Sequence, residues 1–325
     1  MPHTWDVLLP EGIDQSGPDS ITDFARCTGA GEYDSVADAL DDIARYDAII
    51  VRVATLDAGV IDRAERLKVI AKHGAGLDNV DVDAASSRGI VVCNTPGANA
   101  RSVAEHAIAL LFAVRRKLRT ADRHVRGGEW DRGEFVGHEL TGDTLGLLGF
   151  GAIAREVSDL AHGVGQTVLT YDPYVPDDEI PMRVERVEAI PELFARSDAV
   201  SVHAPLTPET HHVVSTDELA ALGSGGVLVN TSRGPVVDEA ALLDALESDG
   251  IAGAGLDTFE EEPPGADHPF YDRDDVLLTP HIGGVTDDAL ARMSQRAARN
   301  VRTVYEGGLP ESTVNRDAIR EEPPE

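Results

Sequence analysis

Short apolar runs alternate with segments of helical period twice along the chain, once on each side of a long helix. In the first series, the predicted strands are 5–9, 47–51, 68–72 and 90–93, and the predicted helices are 35–44, 59–66 and 81–88. Continuous apolar runs of four or five residues are typical of strands that are buried on both faces. The alternation predicts βαβ units and therefore a parallel sheet.

The second series begins after a helix at 102–119 and a glycine-containing loop at 125–139. Its predicted strands are 144–148, 167–171, 199–203, 226–230, 251–257 and 276–279, and its predicted helices are 152–162, 188–195, 217–222 and 238–248. A last helix at 286–305 leads into a polar tail. The pattern predicts an α/β protein of two lobes, each with a doubly wound parallel sheet.

The turn after the strand at 144–148 matches the G-x-G-x-x-G/A fingerprint of a dinucleotide site. Gly149 permits the tight turn, Gly151 lets the backbone approach a pyrophosphate, and the small Ala154 allows close packing of helix and strand. Asp172 follows at the offset of the acid that binds an adenosine ribose, and no arginine comes after it. Strand, turn, helix, second strand and acid together predict NAD(H) as the cofactor, and NADP(H) is the alternative. The six residues 149–154 taken alone would also fit a glycine-rich turn that binds no ligand.

The charge of the chain is unusual and changes the expected partners. Asp and Glu number 58 against 28 Lys and Arg, giving a formal net charge of −30, and the acids are spread along the whole chain. Such self-repulsion is screened at ~1 M salt, where the Debye length is ~3 Å. We therefore expect a protein from a halophile. The same charge disfavours nucleic acid and anionic membranes as partners.

Three further features bear on location and metal content. The first ten residues lack the basic and apolar regions of a signal peptide, and no apolar stretch is long enough to span a bilayer. The two cysteines, Cys27 and Cys93, give neither a disulfide framework nor metal-ligand spacing. His211 and His212 are adjacent rather than at i, i+4 spacing. We expect a cytoplasmic protein without a metal site.

Three polar residues follow predicted strands of the second series, where open α/β sheets place their ligands. They are Arg233, Glu262 and His281. Reduction of a 2-keto acid needs a cation that holds the carboxylate and polarises the carbonyl, which suits arginine. It needs a proton donor near neutral pH, which suits histidine, and a carboxylate that orients the imidazole. Taken singly, each residue also fits a solvated or structural position, and spacing alone does not show that they converge.

Seven segments, in the same order over nearly the full length, resemble the D-2-hydroxyacid dehydrogenase family. They are residues 74–81, 94–96, 103–105, 145–154, 230–238, 256–264 and 280–284. The resemblance lies nearest to D-3-phosphoglycerate dehydrogenases and hydroxypyruvate or glyoxylate reductases. It implies that Arg233, Glu262 and His281 are the catalytic residues. Glu262 is chosen because it directly precedes Pro263, although Glu260 and Glu261 are close enough to be confused with it.

The same resemblance implies binding residues, domains and assembly. The implied cofactor-binding residues are Val103, Gly149, Gly151, Ala152, Ile153, Asp172, Ala204, Thr231, Ser232, Arg233, Asp257, His281, Gly283 and Gly284, and the implied substrate-binding residues are Ala54, Ala75, Gly76, Arg233 and His281. Residues 1–98 with 287–325 would form a flavodoxin-like substrate domain, into which a Rossmann cofactor domain at 99–286 is inserted. A homodimer is implied, with contacts around the long helix and the loop of Trp130.

The chain departs from the family pattern in ways that affect the expected function. Ala152 replaces a basic residue common after the second glycine, and Arg155 is its candidate substitute. The chain ends without the regulatory extension of many D-3-phosphoglycerate dehydrogenases. Val53, Ala54 and Ala75 offer no phosphate clamp.

We therefore expect reversible, NAD(P)H-dependent reduction of small 2-keto acids to D-2-hydroxy acids. D-3-phosphoglycerate dehydrogenase, hydroxypyruvate or glyoxylate reductase and a non-catalytic NAD-sensing protein are the alternatives. Glu262 disfavours formate dehydrogenase, because that branch carries glutamine there.

Overall fold

The chain forms two compact units in a computed structural model that describes residues 4–320. Unit 1 contains the residues up to Asn99 and those from Val285 onward, and unit 2 is Ala100–Gly284. The predicted polar tail at 321–325 lies outside the described residues.

The first part of unit 1 is an α/β sandwich around a five-stranded sheet. Its strands are β1 (Trp5–Leu9), β2 (Ala25–Gly29), β3 (Ala48–Val51), β4 (Val69–Lys72) and β5 (Val91–Cys93), and its helices are α1 (Ser16–Asp19), α2 (Val36–Asp41), α3 (Ala58–Arg63) and α4 (Val82–Ser87). All strand pairs are parallel, in the order β2-β1-β3-β4-β5. This is the flavodoxin-like order.

Unit 2 is built on a seven-stranded parallel sheet. Its helices are α5 (Ala100–Arg115), α6 (Leu118–Arg126), α7 (Ala152–Gly163), α8 (Ile190–Ala195), α9 (Thr216–Leu222) and α10 (Glu239–Glu247), and its strands are β6 (Thr144–Leu148), β7 (Thr167–Tyr171), β8 (Val184–Arg186), β9 (Ala199–Val202), β10 (Val227–Asn230), β11 (Gly253–Leu256) and β12 (Val276–Leu278). The order β12-β11-β10-β9-β6-β7-β8 contains the Rossmann arrangement, with the chain reversing direction across the sheet between β6 and β9. The predicted class of two parallel-sheet α/β lobes is confirmed.

The chain then returns to unit 1 through α11 (Asp287–Tyr305) and α12 (Arg316–Arg320). In α11, Ala289, Met293, Ala297 and Val301 recur every four residues and are buried. A helix with one apolar stripe covers the face of a sheet, and α11 packs on β3, β4 and β5 in this way. No helix within residues 4–320 is long and apolar enough to cross a membrane.

Both faces of the unit 2 sheet are covered, because alternate strand residues belong to separate cores. Leu147 and Val229 pack with α5 and α7 on one face, whereas Val202 and Leu256 pack with α9 and α10 on the other. Burial of each such side chain contributes roughly 1.5–3 kcal/mol. The carboxyl ends of the strands are thereby held in a rigid row.

Several elements differ from the sequence prediction, among them the short helices α1 and α12, which were not predicted. The edge strands β2 and β8 were not predicted, because most of their side chains are at least partly exposed and give no apolar run. The helix predicted at 102–119 ends at Arg115, where Lys117 adopts a left-handed conformation (φ 50°) and α6 begins. No glycine or proline marks that break. Part of the predicted loop at 125–139 therefore belongs to α6, which buries no side chain.

Candidate active site

The cofactor and catalytic residues predicted from the sequence all lie in unit 2. Except for Val103 on α5, they lie in the turns and loops that follow the carboxyl ends of β6, β7, β9, β10, β11 and β12, or begin the helix after the first turn. Parallel α/β sheets bind ligands at this edge, near the point where the strand order reverses. The structure therefore brings these residues to one edge of one sheet.

The turn after β6 is shaped to approach a ligand closely. Gly149 has φ 91°, and a Cβ there would lie 2.8 Å from the backbone nitrogen of Ala204, which follows β9. A Cβ on Gly151 would meet no atom within 4 Å. Gly151 also caps α7 without any side-chain hydrogen bond, so the first amides of the helix are available to an anion. This cradle fits a pyrophosphate.

The two glycines give a matched prediction. Gly149→Ala should lower both Tm and NADH affinity, because its left-handed conformation and contact with Ala204 cost about 1–3 kcal/mol. Gly151→Ala should leave Tm unchanged and raise the Kd for NADH about tenfold, because its methyl group would enter only the cradle. Thermal unfolding and NADH fluorescence titration measure the two effects. If Gly151→Ala binds NADH as tightly as the wild type, the cradle is not part of the cofactor site.

Asp172 closes the same turn from the end of β7. Its Oδ2 accepts the amide of Phe150 at 2.8 Å, and its Oδ1 accepts the amides of Tyr174 and Val175 at 2.9 and 3.2 Å. A carboxylate has about four acceptor positions, so Oδ2 retains capacity for a ribose hydroxyl. Arg155 donates to the carbonyl of Glu179 and stacks on Phe150. The Arg155 guanidinium is therefore already engaged by Glu179 and Phe150.

The loop that carries Arg233 is held by the last residue of β10. Asn230 is buried; its Oδ1 accepts the amide of Ser232 and its Nδ2 donates to the carbonyl of Arg233, both at 3.0 Å. The Arg233 guanidinium donates to the carbonyl of Ser232 at 2.8 Å. Ser232 Oγ donates to the carbonyl of Ala204, which joins the loops after β9 and β10. Sequence reasoning did not single out Asn230, although a polar residue ending a buried strand is a usable signal.

The loop that carries His281 is held by Asp257, directly after β11. The buried Asp257 carboxylate accepts the amides of Ile282 and Gly283 at 2.9 and 2.7 Å. Thr279 Oγ1 donates to it at 2.6 Å, and His106 Nε2 lies 3.3 Å away. Burial raises the pKa of Asp257, but these hydrogen bonds together hold it below its usual value. Asp257 thus remains ionised and fixes the residues on the carboxyl side of His281.

Glu262 and His281 form the central pair of the site. His281 Nδ1 lies 2.8 Å from Glu262 Oε2, while Glu262 Oε1 accepts the amide of Phe259 at 3.1 Å. Burial raises the pKa of Glu262, but the hydrogen bond and charge of His281, with a smaller influence from Arg233, lower it below its usual value. The pair lines a cavity of about 560 Å³ whose other walls are mainly apolar. With Nδ1 engaged, Nε2 is the nitrogen left for proton transfer.

The neighbouring acids make other contacts. Glu260 Oε1 lies 2.9 Å from His212 Nε2 and accepts the amide of Glu239 at 3.1 Å. Glu261 is exposed. Of the three consecutive glutamates, Glu262 is therefore the one that contacts His281.

Three buried polar side chains at the same edge have no hydrogen-bond partner within residues 4–320. They are His203 after β9, through both ring nitrogens, Thr231 after β10 and Thr258 after β11, through Oγ1 of each threonine. Burial lowers the pKa of His203 to about 3, which keeps it neutral and unsuited to donate a proton near pH 7. A buried hydroxyl without a partner is costly. Thr231 is therefore suited to bind a polar group of a ligand.

The predicted substrate-binding residues Ala54, Ala75 and Gly76 lie in unit 1, after the neighbouring strands β3 and β4. Ala54 is buried and Ala75 is exposed. Thr95 Oγ1 accepts the amide of Gly74, and Asn94 Nδ2 donates to the carbonyl of Ala75 at 2.7 Å. The loop at 74–76 is thus fixed by the residues that follow β5.

The sequence and the fold of this chain are similar to those of known proteins. Residues 108–283 match the family model described as D-isomer specific 2-hydroxyacid dehydrogenase, NAD binding domain. The chain is 41% identical over 285 residues to the D-3-phosphoglycerate dehydrogenase of Methanocaldococcus jannaschii, covering 87% of this chain and 54% of that protein. It therefore spans about half the length of that relative.

Two further relatives match over most of both chains. The glyoxylate reductase of Thermococcus litoralis is 39% identical over 294 residues, which is 88% of each chain. The crystal structure of the TT0316 protein from Thermus thermophilus superposes with a TM-score of 0.87 at 34% identity, covering 95% of this chain and 99% of that one.

Proposed function

The chain belongs to the D-isomer specific 2-hydroxyacid dehydrogenase family, and from this we propose that it catalyses the reversible reduction of a small 2-keto acid to the D-2-hydroxy acid with NAD(P)H. The observation that carries the proposal is the 2.8 Å contact between His281 Nδ1 and Glu262 Oε2, with Arg233 close enough to lower the pKa of Glu262. A cation, a proton donor and its orienting carboxylate are the groups that this reduction needs.

The roles of the three residues follow from their chemistry. A bound NAD(P)H supplies the hydride. Arg233 holds the substrate carboxylate and polarises the keto oxygen through its forked donors. His281 donates a proton from Nε2 to that oxygen and recovers it in the reverse direction. Glu262 orients the imidazole through Nδ1 and stabilises its protonated form.

The cofactor site is proposed along the carboxyl edge of the unit 2 sheet. The amides at the start of α7 would bind the pyrophosphate, and Asp172 would bind the ribose hydroxyls. Thr231 and Asp257 would hold the nicotinamide carboxamide. NAD(H) is favoured because the Asp172 carboxylate repels a 2′-phosphate, and NADP(H) remains an accepted alternative because salt screens that repulsion.

Asp172→Asn tests the cofactor preference. The ratio of kcat/KM with NADPH to kcat/KM with NADH should rise about tenfold, corresponding to ~1.4 kcal/mol of removed repulsion. Steady-state kinetics with both cofactors measure this ratio, in which a general loss of activity cancels. Gly151→Ala is the control, because it should weaken both cofactors equally. An unchanged ratio in Asp172→Asn would contradict the assignment.

The loop after β3 favours unphosphorylated substrates. The Glu11 carboxylate accepts the amides of Arg52, Val53 and Ala54 at 2.7 to 3.0 Å. Backbone amides in such a row would otherwise bind a phosphate, but here they already bind a carboxylate. We therefore propose glyoxylate, hydroxypyruvate or a similar small acid as the substrate, bound in unit 1 by Ala54, Ala75 and Gly76.

A phosphorylated substrate is the second candidate, as in D-3-phosphoglycerate dehydrogenase. The observation that favours it is the cationic side chain of Arg52, whose guanidinium forms no ion pair within residues 4–320. The name of the Methanocaldococcus jannaschii relative points the same way.

The function is tested by NADH oxidation at ~3 M KCl with glyoxylate, hydroxypyruvate, pyruvate, 2-ketobutyrate, 2-ketoisocaproate and 3-phosphohydroxypyruvate. Rapid turnover with a D-product supports the proposal and ranks the substrates. Preferred turnover of 3-phosphohydroxypyruvate would select the second candidate. If the protein binds NADH but reduces none of these acids, the dehydrogenase proposal gives way to that of a non-catalytic NAD-sensing protein.

We also propose that the protein is a homodimer working in the high-salt cytoplasm of a halophile. The net charge of −30 supports the salt adaptation. Trp130, Val125 and Val136 are 75%, 53% and 70% exposed, which suits a surface covered by a second copy. Light scattering should give twice the chain mass in molar KCl, and the mass of a single chain would contradict the dimer.

A further inference from the structure

The loop that carries Glu262 is fastened to α10 by two other glutamates. Glu239 is the first residue of α10, and its Oε1 accepts the amide of Glu260 at 2.9 Å. In return, Glu260 Oε1 accepts the amide of Glu239 at 3.1 Å. Each side chain thus binds the backbone of the other residue. This reciprocal pair, Glu239 and Glu260, joins two segments that are distant in sequence.

A histidine contacts each carboxylate of the reciprocal pair. His268 Nε2 lies 3.1 Å from Glu239 Oε2, and their side chains are only 13% and 17% exposed. His212 Nε2 lies 2.9 Å from Glu260 Oε1, and both of those side chains are about 35% exposed. Less exposed contacts are screened less by salt and vary less in geometry. Glu239 is therefore the firmer half of the reciprocal pair.

The restraint reaches Glu262 through two successive amides. The amide of Glu260 donates to Glu239, and the amide of Phe259 donates to Glu262 Oε1 at 3.1 Å. A shift of one amide therefore moves the other. The same backbone lies against Gly234, where any Cβ would overlap the Phe259 carbonyl group. The segment thus rests directly beside Arg233.

A metal ion is a poorer explanation for the neighbouring cluster. His212, Asp238 and Glu260 each offer a ligand atom within 4.8 Å of the others. However, His212 directs Nε2 to Glu260 and Nδ1 to Asp238, at 2.9 and 3.9 Å, so its two nitrogens face different carboxylates. Asp238 already accepts the amide of Ala241 at 3.0 Å and caps α10. The absence of a metal stays a prediction.

We propose that Glu239 is a positioning residue for the proton transfer. It fixes the peptide between Phe259 and Glu260. The preceding peptide, whose N–H belongs to Phe259, is thereby held in place and directs the Glu262 carboxylate toward His281. Glu239 itself touches neither substrate nor cofactor. The inference rests on the proposed function, because it assigns Glu239 a part in the same proton-transfer step.

The test compares three variants of the full chain. Glu239→Ala should lower kcat about 10- to 100-fold, because small misplacements of a reacting group cost this much. The pH at which kcat falls on the alkaline side should move downward, as in Glu262→Gln, while the Kd for NADH stays within twofold. Glu239→Gln keeps an oxygen for the Glu260 amide and should retain kcat within about threefold. Glu247→Ala, at the exposed end of α10, should behave as wild type.

Two results would overturn the proposal. One is a Glu239→Ala variant with wild-type kcat and pH profile. The other is a loss of kcat that follows Tm and NADH affinity, leaves the pH profile unchanged and is not rescued by glutamine. If Glu239→Ala does not fold, His268→Phe removes only the N–H beside Glu239, and the same downward pH shift is required of it.

An NMR titration of the His281 ring protons separates this proposal from the proposed function. The signal is identified by its loss in His281→Ala, and its measurement needs no substrate. If the wild-type protein reduces no 2-keto acid, the dehydrogenase proposal fails, but the positioning of His281 by Glu239 can still be tested. An unchanged His281 titration in Glu239→Ala would end the positioning role, whether or not the wild type is active.

Discussion

Replacing His281 by alanine should lower kcat for 2-keto acid reduction by about 10²–10⁴-fold, the usual contribution of a general acid. The buried His203, directly after β9, cannot take its place, because burial keeps it neutral by lowering its pKa to about 3. The Kd for NADH should change far less than kcat. Stopped-flow or steady-state kinetics with fluorescence binding separate the two effects.

His138 provides the matched control for this variant. It is an exposed histidine before β6, at the opposite edge of the sheet from the site. His138→Ala should keep wild-type kcat. Full activity in His281→Ala would show that another group donates the proton, and the roles assigned to Glu262 and His281 would both fail.

The pH dependence of the reaction should report the Glu262–His281 pair. The pKa of Glu262 lies below its usual value despite burial, because His281 donates to it and carries compensating charge. The carboxylate is therefore ionised at neutral pH and favours the proton-donating form of His281. Glu262→Gln should move the alkaline fall of kcat downward by about one pH unit. An unchanged pH profile of kcat in Glu262→Gln would show that Glu262 takes no part in the proton transfer.

The same shift has a definite sign for stability. A carboxyl group whose pKa is lower in the folded than in the unfolded state stabilises the fold at pH values above the pKa that it has in the unfolded state. For Glu262 and Asp257, this contribution is present at neutral pH and is lost as the pH falls through the acid range. The loops of both residues should therefore loosen on acidification.

The amino-acid pattern predicted the buried strands and two of the four edge strands, β5 and β12, but it missed the edge strands β2 and β8. Strands β6 and β7 were recognised because both are mostly buried apolar runs and they flank a glycine-containing turn and a helix. Strand β8 is a three-residue edge strand with one buried side chain, and such a strand leaves no apolar run. The break at Lys117 was missed because its left-handed conformation uses neither glycine nor proline.

The catalytic residue types could be predicted from the chemistry, but their convergence could not. Glu262 and His281 are 19 residues apart, and only the parallel order of β11 and β12 brings their loops together. The residues that hold those loops were harder to find. Asn230 and Glu239 act by binding backbone amides, and such contacts impose no period or spacing on the sequence.

Arg233→Ala should lower kcat/KM by about 10³-fold, comparable to the loss of one preorganised electrostatic donor. Arg233→Lys should recover only part of this loss, because an ammonium group cannot reproduce the bidentate fork. The loop itself should persist in both variants, since Asn230 holds it through backbone atoms of Ser232 and residue 233. Tm should therefore remain near wild type, and the Kd for NADH should change far less than kcat/KM.

Chemical rescue gives the sharper form of this prediction. Guanidinium at low millimolar concentration should restore part of the activity of Arg233→Ala, because it can occupy the volume of the lost fork. It should not restore Arg233→Lys, where the lysine stem fills that volume, and it should leave His281→Ala inactive. A pattern in which guanidinium rescues none of the variants while R233A retains most of its kcat/KM would show that the substrate carboxylate is held elsewhere. In a chain of net charge −30, an anionic substrate depends on local cations of this kind, so the effect of Arg233 should exceed that of any surface arginine.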